Sequence, residues 1–195
     1  MTPQITELMD RIRVLEGELD AELAKRSAEL RIGLEHGRAA FEEELMRRHR
    51  ELRQKLLPYI FNAHPLVMLS APVIYAGIIP FVLLDIFVSI YQVICFPVYG
   101  IVKIKRSDYF VFDRHHLAYL NALEKLNCAY CSYATGLIAY TREIVARTEQ
   151  YWCPIKHARR VIGTHARYAL FEDYGNGENY QARLTELRKA LAKSE

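Results

Sequence analysis

Four residues have the chemistry of soft-metal ligands: Cys128 and Cys131 in NCAYCSY, and Cys153 and His157 in CPIKH. Zinc takes four nitrogen or sulfur ligands in a tetrahedron, and a Cys-x2-Cys pair joined to a Cys-x3-His pair makes a Cys3His set. On a helix, residues three or four apart share a face, so each pair presents both ligands to one ion. Structural zinc is the expected cofactor. The alternative is iron or an iron-sulfur cluster on the same four residues, with Tyr130, Tyr151 and Glu149 beside it and redox chemistry as the outcome.

The separation of the pairs sets a condition. An unbroken helix from Cys128 to Cys153 would hold them about 37 Å apart. A turn at Gly136, with Pro154 opening a new helix, would bring them together; failing that, the ligands must come from two subunits. Other chemistries fit less well. A thioredoxin-like Cys-x2-Cys unit needs alternating strands and helices that the surrounding pattern lacks. CAYCSY resembles the last two cysteines of the radical-SAM cluster motif, but the position four before Cys128 is Glu124, so one cluster ligand is missing. Carboxylate-bridged dinuclear sites take Glu-x-x-His from two helices, and neither Asp113 with His116 nor Glu149, Cys153 and His157 supplies that pattern. Phosphate-binding glycine loops, nucleophile elbows and His-Glu-x-x-His helices are also missing, so the expected role is not enzymatic.

The elements that would position these ligands follow from hydropathy. A mean hydropathy of -0.06 conceals three zones. Residues 1–57 are rich in Glu, Arg and Leu; Leu66 to Val102 carries one charge, Asp85; the remainder is mixed and Tyr-rich. In the first zone Leu8, Leu19, Leu30, Phe41 and Leu52 recur every eleven residues, as do Ile12, Leu23, Leu34, Leu45 and Leu56. Eleven residues over three turns is about 3.67 per turn, so both columns run nearly straight along one helix, ended by Pro58 and extending about 80 Å. These ten residues are the expected self-association stripe, with a break near Gly33 to Gly37 as the weak point.

The apolar zone exceeds the ~20 residues that one helix needs to cross ~30 Å of hydrocarbon and falls short of two full spans. Gly77 and Pro80 divide it, which predicts a membrane hairpin or re-entrant loop over residues 58–106. Arg47, Arg48, Arg50, Arg53 and Lys55 precede it, and Lys103, Lys105 and Arg106 follow; basic residues at both ends place both on the cytoplasmic side. Asp85 reads as a tip residue reaching headgroups, or as a polar anchor between protomers. Lys103, Lys105, Arg106, Lys156, Arg159 and Arg160 are the expected contacts to anionic lipid. The polar first residues carry no secretory signal, consistent with a cytoplasmic N-terminus and reduced cysteines.

A cap signal at Asp113 with Leu117, Leu120 and Leu123 predicts a helix at the start of the Tyr/Cys/His-rich region, 107–174. Gly175-Asn176-Gly177 predicts a turn into a final amphipathic helix, 175–195, with Tyr180, Leu184, Leu187 and Leu191 on one face. The expected fold is an all-α membrane protein. Its layout resembles hairpin-anchored membrane scaffolds of the stomatin and caveolin kind, which implies a homo-oligomer in the bilayer that organises or shapes membrane or recruits partners. The alternative assignment is an accessory subunit of a larger membrane complex. A net charge of +3 does not suit nucleic acid.

Overall fold

The computed structural model describes residues 3–36, 47–62 and 64–192. They are helical, with no strand among them beyond an isolated bridge between Ile155 and Glu172. Two compact units form, Met1–Gln54 with Leu117–Tyr119, and Lys55–His116 with Leu120–Glu195.

In the first unit α1 runs from Pro3–His36, 34 residues or about 51 Å of helix. Leu8, Ile12, Leu19 and Leu23 are all exposed on it. Leu30 and Leu34 belong to α1 but their side chains lie outside the described residues, as do Phe41 and Leu45 entirely. A short helix follows at residues 47–51, and residues 53–55 are not helical. The expected helix therefore stops short of Pro58, which sits instead in the first turn of α2 (Leu56–Phe61). An N–H is unbonded there in any helix, so proline opens the element rather than ending one. Leu52 and Leu56, the last residues of the two columns, are exposed outside α1.

The second unit is built on two long helical pieces. The apolar zone folds as α3 (Pro65–Ala76) and α4 (Ile78–Tyr99), joined at Gly77. Gly77 has right-handed helical angles, and its N–H and carbonyl stay in turn hydrogen bonds to Ile74 and Phe81. The chain is therefore not reversed at Gly77: Pro80 falls in the first turn of α4, where it interrupts no hydrogen bond. The expected hairpin is replaced by a jointed helical run of 35 residues, Pro65–Tyr99, whose most apolar window has a mean hydropathy of 2.4. It is the only run among the described residues long and apolar enough to cross a membrane. It ends in a Schellman arrangement: Gly100 has φ 68°, Ile101 N–H donates to the Phe96 carbonyl at 2.8 Å, and both Ile101 and Phe96 are buried.

α5 (Ala122–Trp152) is one unbroken helix of 31 residues. Its start is not the expected cap at Asp113 but a capping box. Asn121 Oδ1 accepts from the Glu124 N–H at 3.0 Å, and Glu124 Oε2 accepts from the Asn121 N–H at 2.8 Å. Nor does Gly136 break it. A Cβ at Gly136 would lie 2.6 Å from the Tyr109 carbonyl oxygen, so glycine is there to let the returning chain touch the helix.

α3 and α4 lie alongside α5 in the same direction. Contacts pair Tyr75 with Asn127, Asp85 with Tyr133, Gln92 with Tyr140 and Tyr99 with Tyr151, all in ascending order. Parallel neighbours require a return crossing, and within this unit residues 101–116 run along the helix pair. Ile101 and Ile104 are buried with Val88, Phe96, Leu137, Tyr140 and Ile144 in the core. Past α5, Gly175 at φ 87° leads into α6 (Tyr180–Leu191), whose Leu184, Leu187 and Leu191 are buried as their spacing predicts.

Candidate functional site

Along α4 the partly or fully buried positions Asp85, Val88, Gln92, Phe96 and Tyr99 recur every three to four residues and face α5 and the return segment. The opposite positions, including Ile79, Leu83, Ile86, Ile90, Ile94 and Val98, are exposed. Only 6% of the most apolar window is buried. An uncovered apolar face of this length is uncommon on a protein surface that meets only water.

The inward stripe carries all the polar side chains that an apolar helix must satisfy. Asp85 is held as a bidentate pair by Arg106, whose Nη2 donates to Oδ2 at 2.6 Å while Nη1 donates to Oδ1. Tyr133 Oη donates to the same carboxylate at 2.9 Å, and Arg106 lies 4.1 Å over the Phe110 ring. Asp85 is thus paired within the chain, and its partner is Arg106, one of the residues expected at the membrane surface. The pair holds the Arg106 pKa above its ordinary value. Gln92 works differently. Its Oε1 accepts from the Ile104 N–H at 2.9 Å and its Nε2 donates to Tyr140 Oη at 2.9 Å and to the Ile104 carbonyl at 3.3 Å. A side-chain amide here takes the place of a neighbouring strand for the buried return segment. Gln92, Tyr133 and Tyr140 escaped the sequence reading; a glutamine within an apolar run was the available signal.

A second feature lies between α5 and the loop from His157 to Tyr168. Arg142 donates to the carbonyls of Gly163 and Thr164, and His165 Nε2 meets Glu149 Oε2 at 2.9 Å. Arg167 bridges Glu143 at 2.9 Å and Gln150 at 3.0 Å. These pins hold the loop over α5 beside an open pocket of about 430 Å³, whose wall includes Leu84, Ile138 and Val145.

The four expected metal ligands do not meet within one chain. Cys128 and Cys131 lie in the first half of α5 and Cys153 directly follows its last residue, about 37 Å further along an unbroken helix. His157 is in the loop, with its N–H 2.6 Å and its Nδ1 3.2 Å from Tyr168 Oη. No group of three or more His, Cys, Asp and Glu side chains among the described residues converges as a metal cage. The Cys153 thiol is exposed, yet burial of its surroundings and then the Glu149 carboxylate push its pKa up. Of the expected lipid contacts, Lys103, Lys105, Arg159 and Arg160 are exposed, whereas Lys156 pairs with Asp173 at 2.7 Å.

No protein-family model, curated protein or solved structure matches this chain. The functional reading therefore rests on its own surfaces.

Proposed function

We propose that the protein is a membrane-attached, self-associating scaffold. In this reading α3 and α4 lie within one leaflet, α5 faces the cytoplasm, and α1 joins copies of the chain into an assembly that organises membrane or recruits partners. The observation that carries it is the one-sided helix run: Asp85 and Gln92 on the inward stripe of α4 are hydrogen-bonded within the protein, and the outward face is apolar and exposed.

Two magnitudes favour an in-plane helix over a crossing one. The 35-residue run is about 52 Å long, so fitting it within ~30 Å of hydrocarbon takes a tilt of about 55°, beyond the usual range. A crossing would also draw α5 along it, and α5 carries Arg142, Glu143, Arg147 and Glu149, each expensive in hydrocarbon. An in-plane helix keeps both of its ends on one side, as the flanking basic residues require. Exposed Lys103, Lys105, Arg159 and Arg160 then add up to about 1 kcal/mol each toward anionic headgroups when close to the surface.

Liposome flotation tests this. The wild-type chain is expected to float with anionic vesicles in high salt, and Ile86→Asp/Ile90→Asp to remain with the soluble fraction while keeping its helical spectrum. Flotation of the double variant equal to wild type would overturn the reading. Opposite-side labelling of cysteines placed at Ser107 and His49 would overturn the in-plane arrangement. Stoichiometric co-purification with another apolar protein, without lipid, would favour an accessory subunit.

A further inference from the structure

The cavity between α5 and the His157 to Tyr168 loop has the composition of a ligand site. Its wall is apolar at Leu84, Ile138, Val145 and Val161, and its volume of about 430 Å³ lies in the range of small-molecule pockets. Two buried polar atoms of its lining residues have no hydrogen-bond partner among the described residues: Thr141 Oγ1 and His165 Nδ1. Buried polar atoms are nearly always satisfied, so two orphans at one cavity call for a partner from outside the chain.

Their chemistry specifies that partner. Glu149 sits on His165 Nε2, which therefore carries a proton; in the neutral ring Nδ1 is then an acceptor. The Thr141 hydroxyl is a donor. A hydroxyl can donate to one and accept from the other. Charge argues the same way. Glu149 is hydrogen-bonded to His165, and its carboxylate disfavours an anionic head, while Arg142 is turned onto the carbonyls of Gly163 and Thr164. Leu84, a partly buried residue of α4, brings that helix into the cavity wall.

The geometry points to a binding site for a neutral single-chain amphiphile with a hydroxyl head, of the monoacylglycerol or fatty-alcohol class. The chain lies along Leu84, Ile138, Val145 and Val161, and the head engages Thr141 and His165 as the loop eases off α5. The inference uses the membrane reading only for the route by which the ligand arrives; occupancy itself is a property of the cavity.

The test is native mass spectrometry of the full chain in detergent micelles, titrated separately with 1-oleoylglycerol, oleate and phosphatidylcholine. One 1-oleoylglycerol per chain is expected, retained at least about tenfold more tightly than oleate. Val145→Trp fills the cavity from a position that is 55% exposed, so it spares the core and abolishes retention. Thr141→Val weakens it about tenfold, the scale of one hydrogen bond. Leu83→Ala, on the outward face of α4, leaves it unchanged, and melting temperatures verify that all three variants fold. Tighter binding of oleate, preference for phosphatidylcholine, or retention by a folded Val145→Trp equal to wild type would each overturn the proposal. Because the measurement is made in micelles, its failure leaves the flotation result standing, and the converse also holds.

Discussion

Arg106 forks onto Asp85, the one charged residue between Leu66 and Val102, from a return segment that lies between the two long helices it serves. The carboxylate is mostly covered, with 14% of its side-chain surface exposed against 45% for Arg106. Removing one partner of a covered pair costs more than removing both, because the survivor keeps its desolvation penalty. Arg106→Leu is expected to destabilise by roughly 1–3 kcal/mol, scaled down from a fully buried pair for the exposure of the guanidinium. Asp85→Leu/Arg106→Leu should recover much of that loss. Thermal unfolding in detergent, followed by circular dichroism, measures both; a single variant as stable as wild type would remove the pair from the account.

Gly136 permits the closest approach of the return segment to α5. With a Cβ 2.6 Å from the Tyr109 carbonyl, Gly136→Ala must displace backbone rather than a flexible side chain. The expected loss is about 1–3 kcal/mol, as for other overpacked sites. Ala is the better helix former, so a turn-making glycine at an exposed position would show the reverse sign. The melting temperature of this one variant separates the two roles.

Cys153 bears on whether this end of α5 can offer a thiolate. Desolvation first, then the Glu149 carboxylate, holds its pKa above the ordinary thiol value. Less thiolate is present at pH 8 in consequence, so in a Cys95→Ser/Cys128→Ser/Cys131→Ser background Cys153 should alkylate more slowly than a free cysteine. Its rate should go on rising with pH beyond the free thiol's midpoint. Glu149→Gln removes one raising influence and should speed the reaction near pH 8. Iodoacetamide kinetics read by mass spectrometry decide it; a free-cysteine rate insensitive to Glu149→Gln would contradict the placement.

The stripe on α1 tests self-association without reference to the membrane. Leu8, Ile12, Leu19 and Leu23 are 53–60% exposed, and burying each would contribute about 1.5–3 kcal/mol. Ile12→Glu/Leu19→Glu should therefore weaken assembly by at least about a hundredfold while α1 stays helical. Sedimentation equilibrium in a density-matched detergent reads the change. A wild-type chain that is monomeric throughout would end the scaffold's oligomeric part and leave its attachment to lipid in place.

Much of this architecture is local and therefore legible in the sequence. Helical periodicity at Leu184, Leu187 and Leu191 marks α6, and the uncharged run around Asp85 marks the apolar helix, because hydropathy and spacing act within a window of residues. Breakers were legible only as anomalies. Gly77, Pro80 and Gly136 looked like bends, yet Pro80 sits in a helix's first turn and both glycines serve close packing, Gly77 leaving room for the Tyr130 hydroxyl that donates to the Ile74 carbonyl at 2.7 Å. Whether a glycine bends a helix or admits a neighbour depends on what stands opposite, which local sequence does not encode. The same holds for the chemistry. Spacing paired Cys128 with Cys131 and Cys153 with His157, but an unbroken α5 keeps the pairs apart, and the polar groups that do converge come from positions 12 to 48 residues apart: Asp85 with Arg106 and Tyr133, Gln92 with Ile104 and Tyr140, Glu149 with His165. The pairings of Asp85 and Gln92 exist because the chain returns along its own helix before starting the next, a course fixed by burial of Ile101 and Ile104 in the tertiary core rather than by any local preference.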